Sequence, residues 1–402
     1  MYDAIVAGHL CLDLFPDLSA CTNERLDAIL QPGRLVVVGP VAHCTGGPVS
    51  NTGLALTRLG IHTRLMGKVG DDPFGRAIRD YVRVHGAEGA DALVVDPAAH
   101  SSYTIVLNVP GVDRIFLHYP GANDAFGAGD VGYDLVAEAR LFHFGYPPLM
   151  RRMYENGGFE LAEVFSRAKE TGATTSLDMA LPDPASPAGQ ADWASILLRT
   201  LPCVDLFLPS IEEILFMLRP ATYQALRAQA GGPDILSLIR PELLSDLGGE
   251  LCDLGAKIVA LKLGHRGLYL RTAGQRSLEA LGRARPQDLE AWSNRELWAP
   301  CFQVDVAGTT GSGDATIAGL LAGLLRGFAP EDAVTAAVAA GACNVEAADA
   351  LSGIRSWDET WRRVRSGWAR HKLVLDVPGW HWDDPHQLWV GPGETGQVRL
   401  FP

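Results

Sequence analysis

The chain has 402 residues, 47 % hydrophobic and 20 % charged, the composition of a soluble globular protein with a sizeable core. Its formal charge of −13, with no Lys/Arg cluster, argues against nucleic acid as a partner. The most apolar stretch, Ala315 to Leu325, falls well short of the ~20 residues a membrane span needs, so no membrane association is expected.

The start, Met1-Tyr2-Asp3, runs directly into the short apolar segment YDAIVAG, without the basic and long apolar parts of a secretory leader. That segment reads as a buried strand ending in a glycine turn. SNTGLALTRLG, Ser50 to Gly60, sets Leu54, Leu56, Leu59 and Ile61 near helical spacing and stops at a glycine. HTRLMGKVG reads as a strand, and DPFGRAIRDYVRVHG as a helix with Pro73 in its first turn. Strand and helix alternate again at RLFHFG, TTSLDM, VDLFLPS and KIVALKLG, which predicts a mostly parallel sheet covered by helices on both faces.

Two regions break this rhythm. Gly33–His43 and Ser101–Tyr119 read as strands without intervening helices, the second with a Pro110-Gly111 hairpin turn. Apolar residues alternate there (Ile105, Leu107, Val109; Ile115, Leu117), which suits a small antiparallel sheet standing off the main body; extra edge strands of the main sheet are the alternative. Residues 272–300 are polar and rich in Arg, Gly and Trp, and read as a long loop or short helices. The tail carries Trp357, Trp361, Trp368, Trp380, Trp382 and Trp389, too aromatic for simple disorder. The seven cysteines are scattered and form no CxxC pair, so buried or free thiols in a reducing cytoplasm are expected.

The chemistry concentrates in AGTTGSGDATIAGLLAGLLRG, Ala307 to Gly327. Gly311, Ser312 and Gly313 leave backbone N–H groups accessible just where a helix begins, and a helix start can hold a phosphoryl group. A carboxylate gains nothing from binding phosphate, so Asp314 there suits a base that takes a proton from an attacking hydroxyl. Taken alone, the same residues could be a glycine turn with Asp314 capping its helix.

At this point the sequence resembles the ribokinase-like (PfkB) carbohydrate kinases over most of residues 1–355. Their Thr-Thr-Gly-x-Gly-Asp run is matched by Thr309 to Asp314. Their N-terminal signature is matched by Gly46-Gly47, Asn51 and Leu59-Gly60, and continues into GKVGDDPFG, Gly67 to Gly75. KLGHRG, Lys262 to Gly267, is similar to their nucleotide-side turn. The resemblance implies a three-layer α/β/α ribokinase-like fold, with a mostly parallel central sheet and a small antiparallel β lid. The kinase domain would span 1–355, with lid strands about 10–18, 33–43 and 101–119, and residues 356–402 would form a Trp-rich C-terminal extension.

It also implies an ATP-dependent, Mg2+-requiring kinase that phosphorylates a hydroxyl of a sugar or sugar-like polyol. Asp314 would be the base, with Gly311, Ser312 and Gly313 as the anion hole. Asp13, Gly46, Gly47 and Asn51 would face the acceptor, and Lys262, Gly264, Gly267 and Thr310 the nucleotide. Glu213 would serve the metal, bound largely through the ATP phosphates. Such lids often pack against a second lid, which implies a homodimer. Three positions depart from the family: Ser210 replaces an asparagine three residues before Glu213, Gly308 replaces the aspartate that helps hold a monovalent cation, and Thr316 replaces an aromatic residue. A nucleoside kinase of the same fold, or a catalytically silent sugar-binding regulatory protein, are the competing readings. Asn123, Asp124, Phe144, Tyr146 and Asp178 are candidate pocket residues.

Overall fold

Residues 1–21, 31–86, 92–108 and 115–393 are described in a computed structural model of the chain. The chain enters through β1 (Tyr2–Gly8), turns outward into β2 (Cys11–Pro16) and β3 (Val41–Gly46), and returns as helix α1 (Pro48–Arg58). β4 (Thr63–Met66), β5 (Lys68–Gly70), helix α2 (Pro73–Gly86) and β6 (Val94–Asp96) follow. β7 (Tyr103–Leu107) and β8 (Ile115–Tyr119) go outward again. Then β9 (Ala139–Gly145), β10 (Thr174–Asp178), β11 (Leu206–Phe207) and β12 (Ile258–Lys262) alternate with helices, including α3 (Phe159–Glu170) and α4 (Ile211–Leu218). β13 (Leu268–Thr272) and β14 (Glu296–Ala299) lead to the helix pair α5 (Ser312–Leu325) and α6 (Pro330–Asn344). Helix α7 (Trp357–Arg365) and the hairpin β15 (His381–Asp383) and β16 (Leu388–Val390) complete the described chain.

The main sheet has ten strands in the order β15-β16-β14-β13-β12-β11-β10-β9-β1-β4. From β4 to β12 neighbours run parallel, and beyond β12 they run antiparallel. Successive residues of a strand point to opposite faces, and the burial follows that rule on both sides. Ala4 and Val6 of β1 pack into one core while Ile5 and Ala7 pack into the other. Ile258 and Ala260 of β12 divide from Val259 and Leu261 in the same way. Continuous apolar runs such as AIVA therefore mark strands buried on both faces, and the fold is α/β/α.

The second sheet has the order β3-β2-β7-β8 and forms the lid. β2–β3 and β7–β8 are antiparallel, and the middle pair β2–β7 is parallel. The Pro110-Gly111 turn and Val109 lie outside the described residues. Strand β3 begins at Val41, not at Gly33 as the sequence predicted. Pro40 has no N–H to give a ladder, and Leu35 and Val37 before it stand exposed rather than paired. In β7 the buried positions are Thr104 and Val106, while Ile105 and Leu107 are half-buried, so the hydrophobic alternation misjudged the inward face.

Two further expectations change. HTRLMGKVG is two strands, β4 in the main sheet and β5 paired with β6, divided at Gly67. Residues 272–300 contain the short helices Gln275–Leu278 and Leu289–Trp292, but also strand β14. Glu296 masked that strand in the sequence; it is buried and bonded by Arg271 Nη1 (2.8 Å) and Tyr269 Oη (2.8 Å). The tryptophan-rich tail packs on the main body. Trp357 and Trp361 meet Phe328 edge-on, Trp380 lies against Tyr269 and Trp298, and β16 pairs with β14.

Candidate active site

Helix α5 begins at Gly311, whose φ of 72° is accessible to glycine and costly for other residues; a Cβ there would also stand 2.5 Å from the Ala350 Cβ. The first turn, Ser312-Gly313-Asp314, presents the N–H groups of a 14-residue helix with its positive dipole end. α5 is held there by α6, since Gly319 and Gly323 let the two helices approach to backbone contact at Ala336, Ala337 and Ala333.

Asp314 is buried in this first turn, and its carboxylate accepts three side-chain hydrogen bonds. Asn51 Nδ2 donates to Oδ2 at 3.1 Å, Tyr146 Oη to Oδ2 at 3.0 Å, and Thr52 Oγ1 to Oδ1 at 3.1 Å. Asn51 and Thr52 come from α1, which starts at Gly47 (φ 86°) with Pro48 in its first position. Tyr146 follows β9 in a left-handed conformation, φ 62°, uncommon for a bulky residue and typical of functional sites. Burial raises the Asp314 pKa above the usual carboxylate value, while Asn51, Lys262, Tyr146 and Thr52 oppose that rise.

Lys262 leaves the end of β12, runs past Gly313, and pairs its ammonium with the fully buried Asp178 at the end of β10. Burial alone would lower the lysine pKa, but Asp178, Glu213 and Asp314 outweigh it and raise it, so the site holds a fixed positive charge. Burial pushes the Asp178 carboxyl well up, against the pull of Lys262. Its Oδ2 has no protein partner among the described residues.

Ser210 and Glu213 form a capping box on α4: Ser210 N–H donates to Glu213 Oε2 at 2.6 Å, and Glu213 N–H to Ser210 Oγ at 3.2 Å. Serine thus occupies the asparagine position as the cap of the helix that carries Glu213. At Gly308 a Cβ would come within 2.8 Å of the Ala348 carbonyl, so the backbone leaves no room for the family's aspartate. Thr316 returns its hydroxyl to Ser312 O at 2.8 Å on α5.

Gly264 and Gly267 shape the turn between β12 and β13, beyond Lys262, and Thr310 lies in the turn entering α5. On the lid, Asp13 of β2 accepts from Cys11 Sγ at 3.2 Å, and Gly46 of β3 lacks the Cβ that would strike its carboxylate. The structure thus gathers Asn51, Glu213, Lys262 and Asp314 around the turn at Gly311–Gly313, and sets Asp13, Gly46 and Gly47 on the lid side. Of the candidate pocket residues, Tyr146 and Asp178 join the cluster. Asn123 clamps the Leu10 backbone, Asp124 accepts from Arg151 N–H, and Phe144 is core. Thr52 and the hydrogen-bonding role of Tyr146 escape sequence reasoning; nothing but the adjacency of Thr52 to Asn51 signals either.

A glycine-built helix start with a lysine beside it is an arrangement that can hold an anion such as a nucleotide's terminal phosphates. Among the described residues no three His, Cys, Asp or Glu side chains converge to hold a metal by themselves; a Mg2+ held largely by phosphate oxygens could take Glu213 as a protein ligand. Among the described residues no helix is long and apolar enough to cross a membrane.

A two-layered helical cover over a mostly parallel sheet, with a β lid facing a glycine-turn anion site, defines a ribokinase-like α/β protein. Residues 10–357 match the pfkB family carbohydrate kinase profile, and the chain belongs to that family. It is similar to fructokinase-2 of Solanum habrochaites, 31 % identical over 185 residues, 46 % of this chain and 52 % of that one. The chain thus spans about half the length of that relative. Probable fructokinase-3 of Arabidopsis thaliana is 25 % identical over 317 residues, 78 % of this chain and 75 % of the relative. Among solved structures, Arabidopsis thaliana ribokinase complexed with ribose and ATP shares the fold, with a TM-score of 0.66 and 17 % identity over 90 % of this chain and 98 % of that one.

Proposed function

We propose that the protein is an ATP-dependent kinase that transfers the γ-phosphoryl group to a hydroxyl of a sugar or sugar-like polyol. The observation that carries this reading is the Asp314 carboxylate, bonded by Asn51, Thr52 and Tyr146 in the same helix turn that presents Gly311–Gly313. Asp314 takes the proton of the attacking hydroxyl. The N–H groups of Gly311, Ser312 and Gly313, with the Lys262 ammonium, stabilise charge on the transferred group. ATP bound there supplies the phosphoryl group, and Glu213 would help hold a Mg2+ ion that would neutralise charge on its phosphates. Asp13, Gly46 and Gly47 position the acceptor from the lid, while Gly264, Gly267 and Thr310 face the nucleotide. The fructokinase relatives favour a sugar as acceptor. Seven free cysteines suit a reducing cytoplasm, and the exposed apolar surface of the lid suits a homodimer.

The test is ATP-dependent phosphorylation of D-fructose, D-ribose and adenosine. Asp314→Asn should lower kcat by ~100-fold or more on the best acceptor, with ATP binding near that of the parent, as expected for a lost general base. Turnover within a few-fold of the parent would overturn the assignment.

A further inference from the structure

Four polar or thiol residues form one cross-strand row over the whole lid sheet. Cys44 of β3 lies opposite Asp13 of β2, Asp13 opposite Thr104 of β7, and Thr104 opposite His118 of β8. Cross-strand partners share a face, so all four side chains project to the same side of the lid. Three of them are also connected. Thr104 Oγ1 bonds His118 Nδ1 at 3.0 Å and lies 3.7 Å from Cys11 Sγ, which donates to Asp13. A strand whose buried positions include Thr104 is built to present this row rather than to bury apolar bulk.

His9 meets the row from the body. It occupies the link between β1 and β2, where the lid leaves the main sheet. Its backbone is fixed: His9 N–H donates to Gly145 O (3.2 Å), Val49 N–H to His9 O (3.3 Å), and Asn123 brackets Leu10 next to it (3.1 and 3.0 Å). The ring is buried, and its Nε2 lies 3.4 Å from His118 Nε2. Its Nδ1 has no partner among the described residues and sits where a Cβ on Gly47 would come within 2.6 Å. Its ring centroid is 6.4 Å from that of Tyr146, whose hydroxyl bonds Asp314. His9 therefore stands between the candidate base and the lid. Neither histidine is marked by the family's motifs in this sequence.

We propose that His9 and His118 read the hydroxyl pattern of the acceptor. This rests on the sugar-kinase reading. An enclosed imidazole nitrogen without a partner is costly, and a hydroxyl can satisfy it in either tautomer because it both donates and accepts. The two Nε2 atoms can share one hydrogen at most, so a polyol inserted at the pair can bond both rings and carry the link onward to Thr104 and Asp13. An apolar or deoxygenated acceptor would leave those nitrogens unpaired, the arrangement that gives strong discrimination.

The experiment uses the full chain with D-fructose, D-ribose and adenosine as acceptor probes, and compares His118→Leu with His118→Gln. On the best probe, His118→Leu should raise the acceptor KM about tenfold, the scale of one or two lost hydrogen bonds, while ATP KM and kcat stay near the parent values. His118→Gln, which keeps a donor and an acceptor, should recover most of the loss. An acceptor KM unchanged in His118→Leu, or acceptor and ATP KM rising together, overturns the proposal while the kinase reading stands. So does a His118→Gln variant as impaired as His118→Leu, which would make the residue merely structural. A parent protein that phosphorylates adenosine but neither sugar overturns the sugar-kinase reading, and the histidine pair's role falls with it.

Discussion

As the proposed base, Asp314 would work only when ionised, and its environment sets where that happens. Burial raises its pKa above 3.8, and the donors Asn51, Tyr146 and Thr52, with Lys262, hold the rise in check. The acid limb of kcat/KM should therefore lie above the ordinary carboxylate range. Tyr146→Phe removes one donor to the charged form, so that limb should move to higher pH; a limb that stays in place or moves to lower pH would remove Tyr146 from the base's environment. The stability sign follows from the same shift. A group with a raised folded-state pKa contributes stability below its unfolded pKa and loses it as pH rises through the folded pKa, so ionised Asp314 costs stability at neutral pH. Residues of this kind differ in how far they show in a sequence. Asp314 was legible because glycines, hydroxyls and a helix start surround it within six positions. Tyr146 showed only as a candidate pocket residue; its bond to Asp314 did not, because it reaches across 168 residues and its adjoining sequence, FGYPPL, carries no chemistry of its own.

At the scale of elements, helices and doubly buried strands were legible wherever hydrophobicity was continuous or helically spaced. Leu54, Leu56, Leu59 and Ile61 are all buried as their spacing predicted. Errors fell where tertiary pairing overrules local pattern: the Val-rich run before Pro40 finds no partner strand among the described residues, and β14 buries a glutamate because Arg271 and Tyr269 meet it. The α5–α6 pair shows a third case, since almost every residue of both helices is buried and an amphipathic stripe is absent. Small residues set their spacing instead. A Cβ on Gly319 would stand 2.5 Å from Ala336 O, whereas one on Gly249, in the Pro241–Asp253 helix, would meet nothing within 4 Å. Gly319→Ala should destabilise the protein by ~1–3 kcal/mol, the cost of overpacking, and displace the Gly311–Asp314 turn enough to lower kcat. Gly249→Ala should stabilise by up to ~1 kcal/mol through helix propensity alone. Thermal unfolding of the two variants side by side checks this, and equal melting temperatures would show that the glycine contacts do not set the helix spacing.

The whole molecule is a three-layer body with two additions, and they differ in how they are stabilised. The tail after α7 closes the main sheet through β16 and buries Leu388 and Trp380, so the body stabilises it directly. Among the described residues the lid has no such support on its outer side. A small sheet standing alone is marginal in water, and here Leu117 (51 % exposed) and Tyr119 (41 %) are exposed on one face of its edge strand. Leu35 and Val37 add a second exposed apolar run before β3. Leu117 lies opposite Ile105 on the face away from the Asp13–His118 row, so a partner could cover it without blocking the acceptor side. Covering that surface with the lid of a second copy would bury it and hold both lids in the closed arrangement that excludes water from the phosphoryl group. The protein should therefore run as a dimer in light scattering at micromolar concentration. Leu117→Lys should shift it toward monomer, raise the acceptor KM, and increase ATP hydrolysis without acceptor, since a lysine on that face resists desolvation. A monomeric parent protein would remove the second lid from this account and leave the chemistry at Asp314 untouched.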